Sequence, residues 1–324
     1  MRRVLQWLGA GVLCLNPVSS VLVAGWVQAL VRRRVVESWR RSGKGDFAVP
    51  GRGLWASFAE GALAVFNTWV LTLPGCVLWM FAWYDGWNNS FHKGYEQAWV
   101  APSVGVLGSA LFIAAMLYVP LAQAGQASAG RWRAFYRFHL VWSVARAKWL
   151  SCLALAALYA ALSLPVAGLR MAPNFVGNGL AAGADDAAAR SFLLKYSYVS
   201  CLYVAAAYTA LRLAAARVYA AGLLELVKDG VVGEDELAPA ERAALEALGL
   251  LGARPAPPRH VLLRVLGWAG TRTGRFVSTG GAVLLWAALV AQVFVSQFIN
   301  FRPRSGWLNQ PLVQLPWFRL APGR

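Results

Sequence analysis

Three histidines, four cysteines and 14 acidic residues are all that this 324-residue chain offers as metal ligands, thiol nucleophiles or carboxylate bases. His92, His139 and His260 lie far apart and none stands beside a cysteine, so no shared metal centre is expected. Cys14, Cys76, Cys152 and Cys201 each sit inside an apolar run without C-x-x-C spacing. They read as small buried hydrophobes, not as a disulfide framework. The chain has no Gly-x-Ser-x-Gly elbow, no Walker lysine loop, no His-Glu-x-x-His helix and no carboxylate pair within an apolar run. No catalytic residue, metal or cofactor is expected, and the chain reads as non-enzymatic.

What polar chemistry remains lies at the edges of apolar runs. Of 31 Lys and Arg and 14 Asp and Glu, only Glu60, Lys195, Arg212 and Arg217 come near a membrane-length stretch. Ion-coupled transporters and proton relays need ionisable groups at mid-membrane depth. Here Glu60 opens a run, while Lys195, Arg212 and Arg217 stand where long side chains snorkel to an interface, so each reads as an anchor. The midplane offers Asn67, Thr68, Thr72 and Gln292 instead, and Asn16, Pro17, Asn67 and Pro74 mark where a kink or cavity would form.

These residues must be positioned by membrane helices. A hydrophobic fraction of 58% with 16 Trp fits no ordinary soluble domain. Runs from Gly61 to Phe81, Ser103 to Leu121, Trp149 to Gly168, Tyr196 to Ala216 and Val277 to Phe298 approach the ~20 apolar residues that a crossing needs. Helices are expected, because backbone in hydrocarbon must satisfy its own hydrogen bonds and no barrel-like alternation is present. The region from Val4 to Val31 would span roughly 42 Å as one straight helix, too long for a ~30 Å hydrocarbon core. Asn16-Pro17 divides it, giving either one kinked span or two half-helices in a re-entrant hairpin. A cleaved signal peptide fits less well, since Arg32 to Arg34 follow where a cleavage site and mature domain should begin. The fold class expected is all-α, a polytopic membrane helical bundle of about six spans with interfacial amphipathic helices.

Charge orients the bundle. Arg32 to Arg52 holds seven basic residues against Glu37 and Asp46, and Arg131 to Lys148 holds five with no acid, so both read as cytoplasmic. The segments from Ala82 to Pro102 and from Leu169 to Lys195 carry one and three basic residues against two acids each, and read as outward. The division expected is a membrane bundle at 1–221, a cytoplasmic connector at 222–259, an interfacial helix and last span at 260–299, and an extracytoplasmic tail at 300–324. Arg302, Arg304, Arg319 and Arg324 in that tail oppose the rule. A net charge of +17 then describes loops drawn to anionic lipid, with no nucleic-acid partner expected.

The segment from Arg131 to Trp149 is the clearest constellation. On one continuous helix, Phe135, Phe138, Trp142 and Trp149 share one side while Arg133, Arg137 and Lys148 fall opposite, with Arg146 breaking the pattern. Together with Arg131 these are the expected lipid-interface residues, each cation adding about 1 kcal/mol near an anionic surface. The same helix can also dock on its own bundle. Ala238-Pro239 with Glu241, Leu245, Leu248 and Leu251 predicts a short connector helix with Pro in its first turn. The small residues Ala205 to Ala207, Ala210 and Ala214 to Ala216 suit close helix packing or a subunit contact. Trp307 and Trp317 suit an interfacial anchor. Leu73-Pro74 and Leu164-Pro165 each close a span, a recurrence that duplication would explain.

One resemblance extends over roughly Val4 to Pro165. Val23-Ala24-Gly25-Trp26 before Arg32-Arg33-Arg34, Ala48-Val49-Pro50 before Leu54-Trp55-Ala56-Ser57-Phe58-Ala59-Glu60-Gly61, and Tyr118-Val119-Pro120-Leu121-Ala122 before Gly130-Arg131-Trp132-Arg133-Ala134-Phe135 resemble the domain-of-unknown-function 4013 family of multi-pass membrane proteins. The chain departs from that pattern at Gly51-Arg52 and in its long connector. The resemblance implies the architecture and transfers no catalytic residue. The leading expectation is a membrane protein that organises anionic lipids, a membrane-protein partner or further copies of itself. The alternative is a transporter or channel for a small or amphipathic solute, which requires a polar cavity near Pro17, Asn67 and Pro74.

Overall fold

The computed structural model describes residues 2–51, 53–87, 99–180, 186–252, 261–300 and 305–318. The chain is an all-helical bundle, with no strand among the described residues. Its helices are α1 (Arg2–Leu13), α2 (Pro17–Arg40), α3 (Leu54–Phe81), α4 (Val100–Met116), α5 (Val119–Ala129), α6 (Phe138–Ala147), α7 (Trp149–Leu180), α8 (Asp186–Lys228), α9 (Pro239–Ala247) and α10 (Val261–Asn300). Among the described residues, five stretches are long and apolar enough to cross a membrane: Leu54–Tyr84, Val100–Ala129, Trp149–Pro173, Arg190–Lys228 and Thr271–Gln297. Four of them enclose an expected run, and Thr271–Gln297 covers all but the last residue of the fifth.

The region from Val4 to Val31 folds back on itself. Asn16 has extended backbone and its Oδ1 accepts from Val18 N–H at 2.8 Å, capping α2 just ahead of Pro17 in its first turn. Trp7 and Trp26 then meet edge to face with ring centroids 5.3 Å apart. On one continuous helix their sequence offset of 19 would separate these rings by roughly 28 Å. Of the two readings the chain adopts the hairpin, with α1 lying against α8 and α2 between α3 and α8.

Two helix crossings depend on glycine pairs. A Cβ on Gly25 would fall 1.8 Å from Ser57 O, and one on Gly61 would fall 2.2 Å from Val21 O, so α2 and α3 touch backbone to backbone. Gly75 and Gly108 do the same for α3 and α4, with a Cβ on either landing within 3.0 Å of the other's carbonyl oxygen. Pro74 and Pro165 do not close their spans. Both lie inside helices that continue, α3 to Phe81 and α7 to Leu180, since a membrane helix tolerates proline where neighbouring groups take up the freed carbonyl.

Every residue of α5 is buried. This helix carries Gln123, Gln126 and Ser128 in a run whose small polar residues make it look like a loop in the sequence. Gln123 Nε2 donates to Thr68 Oγ1, Gln126 Oε1 accepts from Asn67 Nδ2 at 3.1 Å, and Ser128 Oγ donates to Glu241 Oε1. Each polar side chain of α5 thus ties it to another element, α3 twice and α9 once.

The strongly basic segments gather at one end. Lys44 N–H bonds Leu248 O at 3.2 Å, Lys148 is ion-paired with Glu225, and Arg137 with Glu241. The connector helix α9 forms as expected, with Leu245 and Leu248 buried against this end. Residues 88–98 and 181–185, in the segments read as outward, lie outside the described residues.

The tail segment 305–318 inserts into the bundle. Trp307, expected as an interfacial anchor, is fully buried, its ring 5.3 Å from Trp83 and 5.0 Å from Phe294. The reason lies in the amides beside it. Asn309 Nδ2 donates to Leu315 O at 3.0 Å and its Oδ1 accepts from Leu315 N–H at 3.1 Å, while Gln314 Nε2 donates to Thr72 Oγ1 at 2.8 Å. Irregular backbone at this depth is stable only when protein satisfies it. Arg302, Arg304, Arg319 and Arg324 lie outside the described residues.

Candidate functional site

The segment from Arg131 to Trp149 is broken where one amphipathic helix is expected. α5 stops at Gly130, whose φ of 66° is left-handed. Two carbonyls that an α-helix would use are then taken by side chains: Trp132 O accepts from Asn67 Nδ2 at 3.1 Å, and Phe135 O accepts from the Tyr118 hydroxyl. A 3₁₀ turn over Trp132–Tyr136 results, then an irregular Arg137 (φ −77°, ψ 66°), then α6. The break sorts the expected interface residues into two groups.

Arg131, Trp132, Arg133, Phe138 and Trp142 face outward. The Arg133 guanidinium lies 5.5 Å from the Trp132 ring centroid, and Phe138 stacks on Tyr118 at 4.8 Å. Phe135, Arg137 and Lys148 correct the expectation. Phe135 is fully buried, because the 3₁₀ turn rotates it inward against Tyr118. Lys148 pairs with Glu225 on α8, and Trp149 lies half-buried where a Cβ on Gly274 of α10 would touch its ring at 2.8 Å.

Arg137 turns into the protein to meet Glu241, which has no exposed side-chain surface. Arg137 Nη1 donates to Glu241 Oε2 at 2.9 Å and Nη2 to Oε1 at 3.2 Å, so the pairing is bidentate. Tyr219 donates its hydroxyl proton to Oε1 at 2.9 Å, and Ala238 N–H donates to Oε2 at 3.1 Å, the return bond of a capping box without a side-chain cap. Burial works against the Arg137 charge, but the facing Tyr219 and Glu241 outweigh it and hold its pKa above the ordinary arginine value. The cluster clamps the connector to the bundle.

Arg212 also corrects an expectation. It is 1% exposed and does not snorkel. Its guanidinium donates to the Tyr159 hydroxyl and to Val313 O of the tail, and lies 4.4 Å from the Tyr208 ring centroid. Arg170, at the far end of α7's crossing stretch, reaches the same tail through Gln310 Oε1 at 3.4 Å and Asn309 O at 3.3 Å. Sequence reading missed both contacts, which join residues 101 to 140 positions apart.

The expected midplane residues do not converge. Asn16, Pro17 and Pro74 are exposed on the outside of the bundle, whereas Asn67 is fully buried and bonded to Gln126, Trp132 O and the Tyr136 hydroxyl. Gln292 donates to Ala160 O at 3.3 Å and accepts from Ser163. Three cavities bear on function. One of about 30 Å³ lies between Arg170, Gln292 and the tail, and one of about 40 Å³ lies beside the Arg32–Glu60 ion pair. An open cleft of about 340 Å³ separates Trp39 from Leu224 at the basic end. No group of three metal-ligating side chains occurs among the described residues.

Fold and charge define a polytopic helical membrane protein. No family model matches the chain, and searches of curated proteins and of solved structures returned no match.

Proposed function

We propose that this chain is a non-enzymatic membrane protein that organises lipids, and through them a membrane-protein partner or further copies of itself, at the cytoplasmic face of a bacterial inner membrane. The observation that carries this reading is the outward rim of Arg131, Trp132, Arg133, Phe138 and Trp142 at the basic end, between the end of the stretch Val100–Ala129 and the start of Trp149–Pro173. Such a rim places rings at the acyl boundary and guanidinium groups among phosphates. The satisfied packing around Asn67 supports the same reading over a pathway at that depth.

The test is enrichment of anionic lipid around the full-length protein in nanodiscs of phosphatidylglycerol and phosphatidylcholine. Replacing Arg131 and Arg133 with Gln should lower that enrichment by about fivefold per residue at low salt, and by less at physiological salt. Unchanged enrichment at low salt rules the reading out. A transport role is favoured by one observation, the buried Arg212 whose acceptor in the tail is a neutral carbonyl. It requires the 305–318 segment to withdraw.

A further inference from the structure

Two guanidinium groups meet the tail, and neither meets an anion. Arg212 is 1% exposed within a crossing stretch, where its acceptors are the Tyr159 hydroxyl and Val313 O. Its Nε is buried with no acceptor at all. Arg170 reaches Gln310 Oε1 at 3.4 Å and Asn309 O at 3.3 Å, loose contacts where a charge-assisted bond runs about 2.7–2.9 Å. The surrounding elements cannot supply the missing charge. α7, α10 and residues 305–318 contain no Asp or Glu. The acid in the crossing stretch of α8, Glu225, is paired with Lys148, and Glu60 of α3 is paired with Arg32. A charge withdrawn from water without a counterion is costly, so this region attracts an anion from outside.

The cavity of about 30 Å³ provides the room. Ser163, Arg170, Gln292, Ser296, Gln310 and Val313 line it, so one guanidinium is in its wall. The other stands one residue behind, since Arg212 holds the carbonyl of Val313. The rest of the polar lining is hydroxyl and amide, groups that solvate an anion through their dipoles and bring no competing charge. One water needs about 10–15 Å³ of such space, so this volume admits a single halide-sized ion and is too small for a phosphodiester or a sulfate. We propose that this cavity binds a halide-sized monovalent anion, held by Arg170 and favoured at longer range by Arg212. Its walls come from α7, α10 and the tail, so the bound ion fastens the tail to both helices. The site is separate from the rim of Arg131 and Arg133, and its failure leaves the lipid reading untouched.

The test compares thermal midpoints of the full-length protein in an uncharged detergent with the sodium salts of chloride, bromide, sulfate and gluconate at matched ionic strength. Chloride and bromide should raise the midpoint over gluconate saturably and by several degrees, the scale expected of a ligand present at tens of its Kd. Sulfate should match gluconate. Arg170→Gln should abolish the halide response, whereas Arg131→Gln, which removes a cation of the rim, should keep it. Ala167→Leu fills the same cavity from α7 and leaves both arginines in place, so it should abolish the response even where Arg170→Gln does not fold. Identical midpoints of the parent in chloride and gluconate overturn the proposal and leave the cavity to water. A larger response to sulfate than to chloride overturns it too, because that order reports screening of the net charge of +17. A halide response that survives Ala167→Leu places the ion elsewhere and likewise overturns the assignment.

Discussion

Arg137 and Arg133 are four positions apart and were expected on one side as lipid-interface residues, yet one is half-buried in an ion pair and the other is exposed. A helical wheel assigns faces correctly only while the helix is continuous. Here the carbonyls of Trp132 and Phe135 are claimed by Asn67 and Tyr118, residues that no local pattern connects to them. The same limit hid Arg212, since an arginine near the end of an apolar run looks alike whether it snorkels or meets a tail carbonyl. Glu241 was legible as a first-turn helix residue and illegible as a charge partner. Replacing it with Leu leaves Arg137 buried without an anion, and should cost about 3–5 kcal/mol and free the connector for proteolysis near Asp229 to Leu237. Replacing both Arg137 and Glu241 with Leu should recover only the part due to the unpaired guanidinium, because Ser128, Tyr219 and Ala238 N–H still lose their acceptor. Denaturation in detergent together with limited proteolysis checks both, and a Glu241→Leu variant as stable and as protease-resistant as the parent would contradict the clamp.

At the scale of elements, the five crossing stretches were legible because hydropathy over ~20 residues reports a free energy that tertiary packing cannot reverse. The hairpin of α1 and α2 was half legible: Asn16-Pro17 marked the break, while the direction of the returning helix depended on Trp7 finding Trp26. α5 was not legible as a core element, because its Gln, Ser and Gly residues lower its hydropathy although they are its means of attachment. Of the small residues of α8 read as packing signals, Ala205, Ala207, Ala215 and Ala216 are buried while Ala206 and Ala210 are exposed, and the tightest approaches belong to Gly25 with Gly61 and Gly75 with Gly108. Gly25→Ala and Gly61→Ala should each shift the thermal midpoint in detergent downward by several degrees, consistent with overpacking of about 1–3 kcal/mol. Gly168→Ala, where an added Cβ meets nothing within 4 Å, should leave it unchanged or raise it slightly. Equal effects at all three sites would mean that α2 and α3 do not cross at Gly25.

The whole molecule has one end that collects Lys44, Arg137, Lys148 and the connector, and a tail that enters among α3, α7 and α8 with Arg170 near its entry. Charge counting placed the two basic loops together, and the contacts among 44, 137, 148, 225, 241 and 248 bring them to one face. The sidedness of that face follows from the bias of seven and five basic residues against one and three, which orients spans during insertion. Single cysteines placed in a background without the native four should therefore report it. Probes at Ser42 and Glu234, both exposed at the basic end, should react with an impermeant maleimide only after the membrane is opened. A probe at Ala187, exposed at the start of α8, should react in intact cells. Gln6 decides the hairpin independently, because α1 runs back along α2 toward the basic end, and an exposed side chain there stays hidden from outside only if the chain turns at Asn16. Reaction of Gln6 from outside would replace the hairpin with a kinked crossing. Reaction of Ser42 from outside would invert the molecule and put the rim of Arg131 and Arg133 on the opposite leaflet.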